Sequence, residues 1–337
     1  MIKNQIQTYL RNQKGFALWS NPNSDKISIL FDEGKGNHKF ILAPFDLENH
    51  KTIEFLSSTI HDVSNFDLEN IEFDMGTISS VNETGKTEYV NDFNCFVQEL
   101  KSESSTEKLV LARSIQKDLQ KSPFQVFRDL HSKFQENFTY LLFDGEHTFW
   151  TAATPETLVQ EKNAKVITMA LAGTKIPDVK GQLVWTPKEY EEHQLVVDYI
   201  AEEFKQAGLT LSYPDKPNEI KAGFVWHLKT PMHGDLNGIN ILNLAKKIHP
   251  TPAVCGTPKE FAKSFILENE HLEREYYCGF VGHIAPQNSH LFVNLRCAKL
   301  SENKITIYVG GGLLKESDLE NEWVETINKS KTILSIL

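Results

Sequence analysis

No run of about 18 consecutive apolar residues occurs anywhere in the chain, so nothing in it reads as a membrane-spanning helix. The opening residues, MIKNQIQTYL, lack the apolar segment of a secretory signal. Cysteine is scarce. Cys95, Cys255, Cys278 and Cys297 are scattered without a C-x-x-C pair, which excludes a disulfide framework or a cysteine-rich zinc site and fits a reducing compartment. Positive charge is in deficit: 35 Lys and Arg stand against 45 Asp and Glu, a net charge of −10. A surface that acidic repels phosphate backbones, so nucleic acid is not expected as a partner. Repeats, low-complexity tracts and interdomain linkers are also missing. The expectation is a soluble cytoplasmic protein with neither a membrane nor a nucleic-acid partner.

What is present is core material and alternation. The 337 residues include 21 Phe, 9 Tyr and 5 Trp, too much apolar surface for a disordered chain. Strand patterns cover KLVLARSIQKDL (108–119), FTYLLFD (138–144), FWTAATPETLVQE (149–161), KVITMALAGT (165–174), CGFVGHIA (278–285), HLFVNLRCAKL (290–300) and KITIYVGGG (304–312). Short polar turns join several of them, and short turns force antiparallel neighbours. Residues 1–90 read as strands and loops with one helix near Leu47–His61. Helical patterns span Ser122–Phe134, Glu189–Gln206, Asn240–Ile248, Lys259–Leu267 and Ser317–Leu337. The fold class is therefore α/β (α+β), with large, mainly antiparallel sheets covered by outer helices.

Two helices carry the most informative side chains. In TPKEYEEHQLVVDYIAEEF (186–204), Glu189 and Glu192 fall on the same stripe as Val196, Ile200 and Phe204. Inward acids are costly unless a cation compensates them. A capping box from Thr186 accounts for Glu189 but not for Glu192. The C-terminal helix reads as a capping box at Ser317 and Glu320, with Leu319, Trp323, Ile327 and Leu334 inward. Glu322, Glu325 and Lys329 lie opposite, where a solvated i,i+4 pair is the ordinary reading. Yet E-x-x-E recurs in both helices, and two facing pairs could supply oxygen ligands for Mg²⁺. Unneutralised, four such acids would repel one another, so removing one should cost no stability.

Other candidates are weaker alone. Lys108 opens a strand, where a solvated edge residue is usual; Glu156 follows Pro155, where an exposed turn carboxylate is usual. Arg296 is either an ion-pair partner or an anion receptor. Gly310–Gly312 either makes a turn or admits close approach of a ligand.

In order along the chain, KLVLAR, AATPETL, MALAGTK, EEHQLVVDYI, WHLKTP, IHPTPAVCGTP, REYYCGFVG, FVNLRCAKL, YVGGGLL and ENEWVETINKSKTIL resemble the successive motifs of the chorismate-utilising enzymes, the family of anthranilate, aminodeoxychorismate, isochorismate and salicylate synthases. The resemblance covers residues 91–337. It implies an anthranilate synthase component I-like fold in one chorismate-binding domain over 1–337, with 1–90 a variable N-terminal part. Three positions resemble the water-using branch: Lys108, where ammonia users typically carry Gln; Ala172, where one group carries a nucleophilic lysine; and HPTPAVCGTP itself.

The resemblance implies an isomerase that converts chorismate to isochorismate, serving menaquinone or siderophore synthesis. Lys108 would be general base and Glu156 general acid. Glu192 and Glu325 would bind Mg²⁺ directly, with Glu189 and Glu322 holding its waters. Arg296, Lys329 and the amides around Gly311 and Gly312 would hold a carboxylate, and Ala172, Gly173, Thr174 and His227 would line the ring pocket. Water as nucleophile implies no amidotransferase subunit, in a monomer or homodimer. Lys175 stands where relatives often show other residues, and Lys229 adds a charge near the pocket. The alternatives are a salicylate synthase, which goes on to eliminate pyruvate, and a non-catalytic scaffold, which would have no reason to keep acid, base and metal residues together.

Overall fold

The computed structural model describes residues 2–71, 83–102, 105–177, 181–301 and 303–337. Two antiparallel sheets dominate it. From edge to edge, the nine-stranded sheet runs Gly256–Thr257, Lys108–Asp118, Lys304–Leu313, Cys297–Ser301, Phe149–Thr154, Phe138–Phe143, Phe16–Ser20, Ile27–Phe31 and His61–Val63. The eight-stranded sheet runs Asn218–Ala222, Val225–Asp235, Lys165–Lys175, Thr157–Lys162, Asn288–Val293, Phe280–Ile284, His38–Ala43 and Ile53–Ser57. The first 63 residues thus contribute strands to both sheets. Among the described residues, no helix is long and apolar enough to cross a membrane.

Period-two alternation sorts the core. Ala17 and Trp19 join the larger apolar cluster, which takes in both sheets and the helices Lys86–Leu100, Pro187–Gln206, Ile241–Ile248 and Lys259–Asn269. Their neighbours Phe16 and Leu18 face the other way, into a second cluster beneath the helices Ile2–Arg11 and Pro123–Lys133 and the end of Leu319–Leu334.

Several sequence expectations need correction. The helix expected near Leu47–His61 is absent: Ile53–Ser57 and His61–Val63 are strands, and Phe55 and Ser57 are buried while Glu54 is exposed, a period of two. Helices Ile2–Arg11 and Lys86–Leu100 lie where strands and loops were expected. The run 149–161 is two strands, not one. It ends in the nine-stranded sheet at Thr154 and resumes in the eight-stranded sheet at Thr157. Pro155, which has no N–H for a ladder, sits at the break. The run 290–300 divides in the same way after Val293, with Arg296 at φ +50°.

The two crossings lie side by side. The Val293 amide donates to the Glu156 carbonyl at 2.9 Å, and the Thr154 hydroxyl donates to the Val293 carbonyl at 2.6 Å. Glu156 and Arg296 are therefore both corner residues, placed where the chain passes from one sheet to the other. Strand Lys304–Leu313 brings its glycines alongside strand Lys108–Asp118, with Gly310, Gly311 and Gly312 opposite Ala112, Leu111 and Val110. The helices Pro187–Gln206 and Leu319–Leu334 close the space above.

The C-terminal helix departs most from its pattern. Its N-cap is Asp318, which accepts from the Asn321 amide, and not Ser317, whose hydroxyl donates to Glu322. Its buried face includes Glu322, Thr326, Ser330 and Ile333, whereas Ile327 is 39% exposed. The polar side turns inward because what it meets is a charged cleft.

Candidate active site

A cleft opens at the two corners. Its walls include Glu156, Leu171–Thr174, Glu192, His227, Arg296, Gly310–Gly312 and Lys329, a mixture of charged, polar and apolar groups suited to a small polar molecule. Ala253, Val254, Tyr277, Cys278 and Leu295 also line it and were not singled out from the sequence. The Tyr277 hydroxyl packs against Gly310, where a Cβ would stand 2.9 Å from it. Only its presence in REYYCGF hinted at a role, with nothing to separate it from Tyr276.

Lys108 is fully buried, not a solvated edge residue, and its Nζ donates to Glu192 Oε1 at 2.9 Å. The pair rests on Gly312, where a Cβ would come within 2.5 Å of Glu192 Oε1 and 2.8 Å of Lys108 Cε. Only glycine admits this approach. Glu156 is 3% exposed. Burial pushes its carboxyl up to about 8, against the opposing pull of Lys108 and Lys329, so it is largely protonated at neutral pH.

Arg296 is buried with no carboxylate in contact among the described residues. It donates to the Lys329 carbonyl at 3.2 Å, to Thr332 Oγ1 at 3.3 Å and to His227 Nε2 at 3.3 Å. Burial lowers it to about 10. His227 is held neutral by burial and by the neighbouring Arg296 and Lys329. Its Nδ1 lies 3.1 Å from the Gly173 carbonyl, which can only accept, so Nδ1 carries the hydrogen and Nε2 accepts from Arg296. Gly173, at φ +75°, makes the bulge in strand Lys165–Lys175 that brings its carbonyl there. Lys329 Nζ donates to the Gly310 carbonyl at 2.8 Å and pairs with Glu325 at 2.7 Å.

The register revises one expectation about amides. Val110 and Ala112 spend their amides on the Cys255 carbonyl and on Glu270, away from the glycine strand. Gly311, opposite Leu111, thus keeps its amide inside the ladder, and the amides of Gly310 and Gly312 face the uncovered side.

All four acids of the paired E-x-x-E motifs lie in this region, each with a lysine. Glu192 pairs with Lys108, Glu189 with Lys175 at 2.6 Å, Glu322 with Lys188 at 2.9 Å, and Glu325 with Lys329. Glu189 also accepts from the Thr186 amide and hydroxyl, so it caps its helix as well. The expectation that removing an acid costs no stability meets an opposing effect at Glu192, whose removal would leave the fully buried Lys108 without its carboxylate. Among the described residues, no three such side chains are arranged to enclose a metal ion. The donor chemistry does suit Mg²⁺: every group is a carboxylate. Glu322 Oε2 and Glu325 Oε1 reach the space a Cβ would fill at Gly311, at 3.2 and 3.4 Å. Burial and the adjacent Glu325 push the Glu322 carboxyl up to about 7, a strain that a divalent cation would relieve. Lys229 lies outside the cleft lining, half-buried.

Comparison with known proteins bears on this arrangement. The family described as "Chorismate binding enzyme" matches residues 34–337. Isochorismate synthase DhbC of Bacillus subtilis is 34% identical over 193 residues, covering 54% of this chain and 48% of its own. The chain thus spans about half the length of this curated relative. Among solved structures, MenF, the menaquinone-specific isochorismate synthase from Escherichia coli, superposes with a TM-score of 0.77 at 21% identity, covering 98% of this chain and 91% of that one. Anthranilate synthase component I from Streptococcus pneumoniae superposes with a TM-score of 0.71 at 18% identity, covering 95% and 92%. At those identities the structures speak to the fold, which is the anthranilate synthase component I-like α+β fold expected above.

Proposed function

The chain belongs to the chorismate-binding enzymes, and from that premise we propose that it converts chorismate to isochorismate with the help of Mg²⁺. The observation that carries the reading is Glu156, a buried carboxyl protonated near neutral pH on the wall of a cleft that also holds a buried, carboxylate-free Arg296. An acid that keeps its proton at pH 7 can deliver it to a departing hydroxyl. A guanidinium buried without a counter-ion is prepared for a carboxylate substrate. Arg296 is the uncompensated positive charge of the cleft, because Lys108 and Lys329 are each paired with a glutamate.

Water adds at ring carbon 2 while the carbon-4 hydroxyl leaves. Lys108 accepts the proton of the attacking water, and Glu156 gives its own to the leaving oxygen. To act as base Lys108 must be the neutral amine, so the ammonium that donates to Glu192 has first to give up a proton as well as part from that carboxylate. Arg296 and Lys329, with the amides of Gly310 and Gly312, hold a substrate carboxylate, while Ala172, Gly173, Thr174 and His227 orient the ring. Neutral His227 cannot compete with the carboxylate for charge and serves to brace Arg296. Glu192 and Glu325, supported by Glu189 and Glu322, would hold Mg²⁺, which when bound would offset the charge of a substrate carboxylate. Water as the nucleophile needs no ammonia-delivering subunit.

Product analysis with chorismate and Mg²⁺ tests this reading. Isochorismate alone is expected, with activity lost in EDTA and restored by added Mg²⁺. Salicylate plus pyruvate would favour the elimination reading, no product would favour a scaffold, and full activity in EDTA would remove the metal.

The close approach at Gly312 gives a second expectation. Gly312→Ala places a methyl group where Lys108 and Glu192 meet, and a displacement of about 1 Å at a reacting group can cost ~10²-fold. A loss of kcat/KM of that order is expected with an unchanged circular dichroism spectrum. Unaltered kinetics would show that this pair is not part of the working site.

A further inference from the structure

One buried ion pair that the proposed mechanism does not use lies directly behind the cleft wall. Glu270 follows helix Lys259–Asn269 and Arg274 comes four residues later, with side chains only 1% and 3% exposed. Arg274 Nε donates to Glu270 Oε2 at 2.6 Å and Nη2 donates to Oε1 at 2.7 Å, a two-pronged contact. The other contacts go to main chain. Nη1 donates to the Val254 carbonyl at 2.9 Å and Nη2 to the Val110 carbonyl at 2.7 Å, while Glu270 Oε1 accepts from the Ala112 amide at 2.7 Å. Val110 and Val254 both line the cleft, although neither Glu270 nor Arg274 does. The Arg274 carbonyl also accepts from the Tyr277 amide at 2.8 Å, so the same residue anchors the segment that brings Tyr277 and Cys278 to the wall.

The sheet edge explains the placement. Strand Gly256–Thr257 covers strand Lys108–Asp118 only at Leu109 and Lys108. Among the described residues no strand continues that edge, and Val110 and Ala112 turn buried main-chain groups toward it that must find partners. The Val110 amide reaches the Cys255 carbonyl at 2.8 Å, and the ion pair takes the Val110 carbonyl and the Ala112 amide. A buried ion pair adds little net stability over apolar residues of the same volume, so stability is a poor reason for this one. What it does is tie Val254, Val110 and Ala112 to one planar guanidinium and its carboxylate. We propose that Arg274 and Glu270 are positioning residues for the reaction, a side-chain clamp that completes the sheet edge and so fixes the placement of Lys108, two residues before Val110. The proposal rests on the reading of Lys108 as base and adds to it which residues hold that base in place.

The test compares wild type, Arg274→Met, Arg274→Lys, Glu270→Gln and a stability control, Leu130→Ala, whose fully buried side chain lies in the second apolar cluster. Tm is measured on the full chain, together with steady-state conversion of chorismate in the presence of Mg²⁺, at a temperature well below every Tm. Arg274→Met leaves Glu270 without its cation and should lower Tm most. Arg274→Lys restores that charge and should recover much of the lost Tm, but an ammonium cannot reproduce the fork that reaches Glu270, Val254 and Val110 together. Glu270→Gln keeps one oxygen for Ala112 and gives up the second acceptor that holds Arg274. All three should lower kcat about 10- to 100-fold, the cost of displacing a reacting group by about 1 Å, with KM within about 3-fold of wild type. Leu130→Ala should lower Tm with kcat per folded molecule unchanged. A kcat that returns with Tm in Arg274→Lys, or that falls no further than in Leu130→Ala, makes the pair merely structural and overturns the proposal while leaving the reaction intact. Should Arg274→Met not fold, Arg274→Lys and Glu270→Gln are judged against Leu130→Ala by the same criterion. A wild type that forms no isochorismate overturns the functional reading, and this proposal with it.

Discussion

Glu156→Gln is expected to lower the rate of chorismate conversion by roughly 10²–10⁴-fold while making the folded protein more stable at alkaline pH. Both effects come from the same buried carboxyl. In the unfolded chain it titrates near the ordinary 4.5, and in the folded protein near 8. Between those values the native state binds more protons than the unfolded state, so stability falls as pH rises from about 4.5 through about 8. Glutamine is neutral throughout and removes that loss. The variant should match wild type near pH 5 and exceed it by on the order of a few kcal/mol above pH 8. The wild-type kcat/KM should decline above about pH 8 as the acid loses its proton. Reversal of the reaction exchanges the roles of acid and base, so the variant should be damaged with isochorismate as substrate too. Measuring forward rate, reverse rate and Tm against pH separates the cases. A structural Glu156 would give a variant that melts earlier with the rate per folded molecule intact, and that result would rule out the assignment.

The corner that holds Glu156 shows where sequence reading stops. FWTAATPETLVQE keeps a strand-like composition throughout, and neither its alternation nor its residue types say that Thr154 and Thr157 belong to different sheets. Which sheet a strand joins is decided by partners far along the chain, here Phe138–Phe143 on one side and Asn288–Val293 on the other. Arg296 is concealed in the same way within HLFVNLRCAKL. Helix Pro187–Gln206 was more legible, because Glu189 and Glu192 sit among apolar residues and an inward acid calls for an explanation. The C-terminal helix misled for the converse reason. Its acids and Lys329 lie opposite an apolar stripe, and the rule that apolar faces turn inward fails where the interior is a charged cleft. Of the lysine partners, Lys175 stood out only as a departure from what relatives show, and Lys188 carried no signal at all. Pairing Lys188 with Glu322 spans more than a hundred residues, and only the folded chain brings them together.

Lys108→Gln is the second substitution expected to act strongly, with a loss of roughly 10²–10⁴-fold in isochorismate formation, because an amide cannot take a proton from water. It can still donate to Glu192, so the position need not leave that carboxylate without a donor. Ammonia should not replace water in this variant if, as proposed, no subunit delivers it to the cleft. Loss of activity alone would not separate a base from a charge that merely binds substrate. Lys108→Arg makes that separation. Arginine preserves the positive charge and can pair with Glu192, but it stays protonated at any pH the protein survives. If Lys108 only attracts the dianion or neutralises Glu192, the arginine variant should recover much of the rate that glutamine loses. If Lys108 is the base, both variants should fall together in kcat while the arginine variant keeps the better affinity for chorismate. Near-normal turnover by Lys108→Arg would therefore take Lys108 out of the proton transfer and leave it as an electrostatic residue of the cleft.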